Sequence, residues 1–258
     1  MFEKIEFGGV KQICEPVKLS VFRALTDNDS VNELEWRSSG KFAFVPKPSE
    51  NFDNTTVKIY SSKIDGSVIT FTGALSPVAR SPLMKFTLKY EIFGSRIKIS
   101  LNGKIRENLT TYIPRLGFEF RTPAENDTFS YYGRGPEENY ADMKTHTPIG
   151  YYKSRASDEY VPYVLPQEHG NHTDTKLLKT GTGLSFESDK YFEFNVSQYD
   201  SETLDRAKHI NDLVKNGKTN IRIDFKSSGL GSMKCGPKLL DKYRFNPSDV
   251  EFSFIVGK

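Results

Sequence analysis

The sequence predicts an all-β protein built as one large antiparallel sandwich. Apolar and polar residues alternate with period two in many short segments, and Gly, Asn and Asp turns separate these segments. The 258 residues include 13 Tyr, 19 Phe and 13 Pro, a composition typical of strands joined by rigid turns. Helical spacing is confined to one segment. Two packed layers are the arrangement that buries one face of so many strands.

The clearest element is a hairpin around Gly94. Apolar residues recur at every second position on both sides of the turn, with charged or polar residues between them. This apolar set comprises Phe86, Leu88, Tyr90, Ile92, Ile97, Ile99 and Leu101. The same pattern predicts further strands at residues 57–60, 68–72, 118–121, 191–196, 221–225 and 250–256.

One segment has the spacing of a short helix. Asp200 or Ser201 can cap its start, and Asn216-Gly217 can end it. Between them, a narrow apolar stripe is formed by Leu204, Ala207 and Leu213. A barrel of eight alternating strands and helices needs many such segments, so the sequence excludes that scaffold.

Residues 123–180 form a long stretch that is rich in Tyr, Gly, Pro and Asn and has weak periodicity. Ordered stretches of this length in compact proteins are usually functional or serve as packing surfaces. The chain has no internal repeat and no convincing linker. We therefore expect a single domain over residues 1–258.

The charge balance argues against nucleic acid as a partner. There are 36 Lys and Arg against 33 Asp and Glu, which leaves a net charge of only +3. No apolar run approaches the ~20 residues that cross a membrane, and the charged, alternating start is unlike a secretory signal. Cys14 and Cys235 lie too far apart to form a disulfide framework. A reducing compartment, the cytoplasm, is the expected location.

Residues 131–140, YYGRGPEENY, combine aromatic rings with two glycines and two carboxylates. Rings and planar polar groups suit sugar recognition, but the same residues also suit a turn that packs a loop onto the sandwich. The packing interpretation is favoured. Glu137 and Glu138 are adjacent and face opposite sides of an extended chain, so they cannot flank one bond as a catalytic pair.

His169 and His172 lie close in sequence to Glu168. A His–Glu pair could transfer protons, and two His could hold a metal, although a zinc site normally has more ligands. A hydrogen-bonded loop is the third interpretation and the favoured one.

Residues 229–237, GLGSMKCGP, form a glycine-rich loop after a predicted strand. No helix follows to bind a phosphate, which disfavours a nucleotide site. Cys235 has no His partner that would make it a nucleophile, so the loop is better interpreted as the wall of a pocket.

Four segments resemble one family, the family-2 β-galactosidases, in their C-terminal small-chain domain. Residues 22–29 resemble its RAPTDND motif, and residues 132–140 resemble GxGPxENY. Residues 160–171 are similar to YxxPYVxPQExGN, and residues 229–237 resemble GxGSxxCGP. Leu25 replaces the usual Pro of the first motif. The order is that of the family, and the matches span nearly the whole chain.

The resemblance implies a β-supersandwich like that of galactose mutarotases, placed beside a catalytic barrel that hydrolyses β-galactosides such as lactose. It implies that Cys235 forms part of the wall of the galactosyl pocket, with His169, His172 and Glu168 as further substrate-binding candidates. The catalytic glutamates, together with the Mg and Na sites, belong to the barrel, which is absent here. We therefore assign no catalytic residue, metal ligand or cofactor to this chain, and expect it to be inactive by itself.

Two alternatives remain open. One is an independent mutarotase-like epimerase that uses His169 or His172 with a glutamate, and the other is a carbohydrate-binding module. On the main interpretation, in which the chain docks on a barrel, we expect an exposed apolar surface, with Tyr131, Tyr132 and Tyr151 as candidates.

Overall fold

A computed structural model of the protein describes residues 5–37 and 49–258. The first four residues, which contribute to the argument against a secretory signal, lie outside the described residues. In chain order the strands are β1 (Ile5–Phe7), β2 (Val10–Ile13), β3 (Lys18–Ser20), β4 (Thr55–Asp65), β5 (Val68–Pro77), β6 (Met84–Phe93), β7 (Arg96–Ile105), β8 (Arg115–Pro123), β9 (Thr128–Arg134), β10 (Ile149–Arg155), β11 (His172–Thr180), β12 (Ser185–Ser197), β13 (Lys218–Ser227) and β14 (Asp249–Gly257). The helices are α1 (Glu33–Trp36) and α2 (Ser201–Arg206).

The strands form one large antiparallel sheet and a small hairpin of β1 and β2. The large sheet runs in the order β10-β9-β11-β12-β14-β7-β6-β5-β4. A branch leaves it at β12, where β13 pairs with β12, β8 pairs with β13 and β3 pairs with β8. This is the predicted all-β antiparallel architecture.

The two layers arise because β12 changes partner along its length. Its residues 185–187 pair with β14, whereas residues 193–197 pair with β13. The branch then lies face to face with the main sheet, and Phe118 of β8 lies with its ring centroid 5.5 Å from that of Phe254 on β14. Phe120 contacts Phe186 in the same way, at 5.0 Å. Aromatic side chains therefore fill the space between the layers.

The period-two pattern correctly predicted most of the side chains of this core, but Ile92, which lies beside the hairpin turn, is 39% exposed. In the hairpin of β6 and β7, Leu88, Tyr90, Ile99 and Leu101 are each at most 2% exposed. Burying each such side chain contributes about 1.5–3 kcal/mol, which explains why the alternation is so regular. The other predicted strands are also confirmed, as parts of β4, β5, β8, β12, β13 and β14.

The predicted helix exists but is shorter than expected. The side chain of Asp200 caps α2 by accepting a hydrogen bond from the Thr203 amide at 2.7 Å. The helix ends at Arg206, because Ala207 is already extended. Beyond it, the Asp212 carboxylate accepts from the amides of Lys208 and His209 and closes a separate turn. The interpretation of Leu213 as part of the helix was therefore wrong.

The long middle region contains three strands that the weak periodicity did not reveal. They are β9, β10 and β11, and they form one end of the main sheet. In β9, Tyr131 faces the core while its neighbour Tyr132 faces out, so adjacent aromatic residues hide the alternation. No helix in the described parts of the chain is long and apolar enough to span a lipid bilayer.

Candidate functional site

Four loops meet over the outer face of β8, β13 and β12, and we call them together the loop layer (residues 22–32, 135–147, 157–171 and 228–240). They contain or continue the four motif segments found in the sequence. Strand β13 explains why they gather here, since its two faces are both buried. Ile221 and Ile223 face the sandwich core, while Arg222 and Asp224 face the loop layer.

Arg23 joins the first loop to the last. It is 1% exposed, and it donates to both carboxylate oxygens of Asp29 at 2.8 and 3.0 Å. It also donates to the carbonyl oxygens of Ser228 and Gly229, at 2.6 and 3.0 Å. A fully buried guanidinium with this many acceptors holds two loops that are about 200 positions apart in sequence.

Further side chains link the remaining loops to each other. The Asp27 amide donates to Gln167 Oε1 at 2.9 Å. Glu138 accepts hydrogen bonds from the Tyr163 hydroxyl and from the Gly170 amide. Asn139 Oδ1 accepts from the Thr173 amide at 2.8 Å. The four loops thus form one connected unit, which the sequence spacing alone did not reveal.

Cys235 lies on the exposed surface of the last loop. Its amide donates to the Ser232 carbonyl at 3.2 Å and closes a turn, and the buried side chain of Leu239 follows a few residues later. The other cysteine, Cys14, is half-buried in a different region, where its amide bonds to Arg121. The position of Cys235 is compatible with the predicted pocket wall, and contact with substrate stays a prediction.

Glu168 lies beneath the loop layer rather than on its surface. Arg222 donates to both of its carboxylate oxygens, and the two side chains are 2% and 7% exposed. Burial by itself raises the pKa of Glu168, but the guanidinium of Arg222 outweighs it, and the pKa lies below its usual value. The cavity beside this pair has a volume of about 10 Å³, which leaves space for no more than a water molecule.

His172 is also fully buried. Its Nε2 lies 2.8 Å from Glu159 Oε2, its Nδ1 lies 3.1 Å from the Arg134 carbonyl oxygen, and its ring stacks on Phe194. His169 is 3% exposed, with Nδ1 2.8 Å from the Gln167 carbonyl oxygen. This is the geometry of the hydrogen-bonded loop favoured above. Sugar contacts by His169, His172 and Glu168 stay predictions.

A buried layer of charge under the loops was missed by sequence reasoning. Asp224 accepts from Arg115 at 2.7 Å, and both side chains are 0% exposed. Glu193 lies opposite Asp224 in the ladder between β12 and β13 and is also buried. The signal was present as charged residues alternating with the apolar residues Ile221 and Ile223 in β13. That pattern is typical of a wet face, and only the loops that cover it make it a buried one.

The aromatic residues proposed as a docking surface divide into two groups. Tyr132 and Tyr151 are neighbours across β9 and β10 and are 45% and 59% exposed. Tyr131 is 0% exposed and packs against His172 and Phe194, so its assignment to the surface was wrong. The loop layer exposes other apolar side chains, of which Val164 is 98% exposed. Within residues 5–37 and 49–258, no cluster of three or more His, Cys, Asp or Glu side chains is arranged to hold a metal ion.

Comparison with known proteins identifies the family. The family model described as Beta galactosidase small chain matches residues 1–256. A β-galactosidase of Kluyveromyces lactis is 34% identical over 258 residues, which cover 97% of this chain and 24% of that protein. A β-galactosidase of Actinobacillus pleuropneumoniae is 30% identical over 259 residues, with 98% and 24% covered. The chain thus spans about a quarter of the length of these relatives.

Among solved structures, the chain is similar to a galactose mutarotase-like protein of Lactobacillus casei, with a TM-score of 0.47, 9% identity and 96% and 90% of the two chains covered. A putative aldose 1-epimerase of Escherichia coli K12 has a TM-score of 0.45, with 8% identity and 99% and 91% covered. The family model matches nearly every residue of the chain, including all four motif segments. The chain therefore belongs to the β-galactosidase small-chain family.

Proposed function

We propose that this chain is the small-chain part of a β-galactosidase, and that its loop layer forms one wall of a galactoside site. The observation that carries the proposal is the union of the four motif loops into one hydrogen-bonded layer, which presents Cys235 at its surface. The bond-breaking groups belong to a larger catalytic polypeptide. The chain spans only 24% of its relatives, which leaves ample sequence for such a part.

The chemistry of glycoside hydrolysis supports this division of labour. Hydrolysis needs two carboxyl groups that flank the bond, about 5 Å apart when configuration is retained. In the loop layer, Glu138 accepts from Tyr163 and Gly170, Glu159 lies against His172, and Glu168 is paired with Arg222. Since these carboxylates are engaged in the fold, we assign acid–base and nucleophilic roles to the partner.

The catalytic polypeptide is proposed to dock on the loop layer. Val164 is 98% exposed, and Leu165 is 40% exposed beside it. Apolar side chains held this far out of the surface favour burial by a partner. Mg and Na are proposed to bind to the partner rather than to this chain. Because Cys14 and Cys235 are free thiols, we propose the cytoplasm as the location.

The test uses the purified chain and a chromogenic β-galactoside. We expect no turnover by the chain alone, and turnover when it is combined with the β-galactosidase polypeptide that lacks this region. An anomer-interconversion assay on the chain alone should also give the uncatalysed rate. Steady hydrolysis by the isolated chain, in proportion to its concentration, would contradict the proposal, and catalysed anomer exchange would favour the epimerase alternative.

A further inference from the structure

Besides the turn closed by the Cys235 amide, the loop that carries Cys235 is held by side chains from two other loops. Leu230 and Gly231 donate their amides to the two oxygens of Asp142, at 2.9 and 2.7 Å. Asn28 holds the opposite side, where its Nδ2 donates to the Gly231 carbonyl at 2.7 Å and its Oδ1 accepts from the Lys234 amide at 3.1 Å. Lys234 directly precedes Cys235.

The glycines of this loop fit the same contacts. A Cβ atom at position 229 would lie 2.5 Å from the carboxyl carbon of Asp142, so only glycine lets this carboxylate approach. Gly231 has a φ of +69°, in the left-handed region that disfavours other residues. The loop backbone is therefore shaped to receive Asp142 on one side and Asn28 on the other.

We infer that Asp142 and Asn28 are positioning residues, which fix the place at which Cys235 stands. Asp142 follows the second motif by two positions, and Asn28 belongs to the first. A carboxylate that accepts two amides makes charge-assisted bonds, which are stronger than neutral ones. Asn28 acts through both its donor and its acceptor, so no smaller side chain replaces it. The catalytic consequence rests on the proposed function, whereas the loop geometry does not.

The first experiment measures hydrogen exchange in the isolated chain. In Asp142→Asn, an amide group replaces one acceptor oxygen, and we expect the Leu230 and Gly231 amides to exchange at least about tenfold faster. Amides inside β13 should keep their rates. Asp189→Asn, an exposed substitution with the same charge change, is the matched control and should leave all of these rates unchanged. If the amides at positions 230 and 231 of Asp142→Asn exchange at the same rates as in the wild type, the inference is overturned.

A second variant guards against a general loss of structure. Asn28→Ala should speed exchange at Lys234 by about tenfold while the amides of β13 stay protected. If Asp142→Asn also speeds exchange in β13, the inference is tested on Asn28→Ala instead. Unchanged exchange at Lys234 would then overturn the inference.

The assembled enzyme provides the catalytic measurement. Asp142→Asn should raise KM for a galactoside at least about threefold, with kcat changed less than about twofold, because a displaced wall weakens binding more than bond cleavage. The effect should not add to that of Cys235→Ala. Faster loop exchange with an unchanged KM would refute the pocket-wall function and leave the positioning of the loop standing.

Discussion

Arg222 and Glu168 form a bidentate ion pair between β13 and the loop layer. Both terminal nitrogens of the guanidinium donate to the two carboxylate oxygens, and the side chains are 7% and 2% exposed. The pair joins the third motif segment to the sheet. Since both charges are buried, each depends on the other for its stabilisation, and this dependence leads to a first prediction.

Arg222→Met should destabilise the isolated chain by about 3–5 kcal/mol, because it leaves the Glu168 carboxylate buried without its partner. Urea denaturation measures this change. Arg96→Met is the control, since Arg96 and Glu187 form an ion pair with each side chain about 40% exposed, and its loss should cost about 0–1 kcal/mol. Equal effects of the two substitutions would mean that the buried pair does not hold the layer to the sheet.

The raised pKa of Glu193 predicts that the free energy of unfolding falls as pH rises. Burial, and then the negative charge of Asp224, raise the pKa of Glu193 from 4.5 to about 7. Between these values the unfolded chain has lost the proton that the folded chain keeps, so folding weakens with increasing pH. This contribution to stability is complete below pH 4.5 and is lost by about pH 7, and its size is about 3 kcal/mol.

The prediction for Glu193 is tested by a difference between two proteins. Glu193→Gln removes the titrating group, so the stability gap between variant and wild type should grow between pH 5 and pH 8 in favour of the variant. Taking the difference cancels the contributions of carboxyl groups that do not interact with Glu193, whereas its neighbour Asp224 is part of the measured effect. Glu107→Gln, the same chemical change at an exposed position, is the matched control. A flat difference for Glu193→Gln would refute the prediction.

On the proposed docking, Val164→Asp should weaken association with the proposed catalytic polypeptide without affecting the fold. The side chain is 98% exposed, so the stability of the isolated chain should change by no more than about 0.5 kcal/mol. A charge in an apolar contact should raise the Kd at least about tenfold, measured by titration calorimetry. Val214→Asp is the control, because Val214 is 72% exposed but precedes the start of β13, whereas the loop layer continues from the end of that strand. Equal losses for both variants would exclude docking at Val164.

If Cys235 forms the proposed pocket wall, Cys235→Ala should raise KM of the assembled enzyme about fivefold to thirtyfold, equivalent to about 1–2 kcal/mol, because the proposed contact with substrate is removed. Steady-state kinetics should give a kcat within about twofold of the wild-type value. Cys14→Ala, which changes the half-buried cysteine elsewhere, should leave both constants unchanged. A collapsed kcat at normal KM would instead place Cys235 among the groups that act on the bond.

Much of the fold follows from local pattern. Leu88 and Leu101 were predicted to face the core and do so, because alternate side chains of a strand share one face and the apolar face is the one that packs inward. The Asp200 cap was likewise predicted, since it depends on an amide three positions away. Strand β9 was missed because Tyr131 and Tyr132 carry similar side chains to opposite faces.

The all-β class, most of the strands, the four motifs and the family to which they point could be predicted from local sequence pattern. The folded chain was needed to show that these motifs form one layer, that Glu168 and His172 are buried, and that Cys235 stays exposed. The two groups of features differ in the distance along the chain over which their interactions act. Alternation and capping act over a few residues, whereas the contacts of Arg23 with Ser228 and of Asn28 with Gly231 exist only after chain segments about 200 positions apart have been brought together.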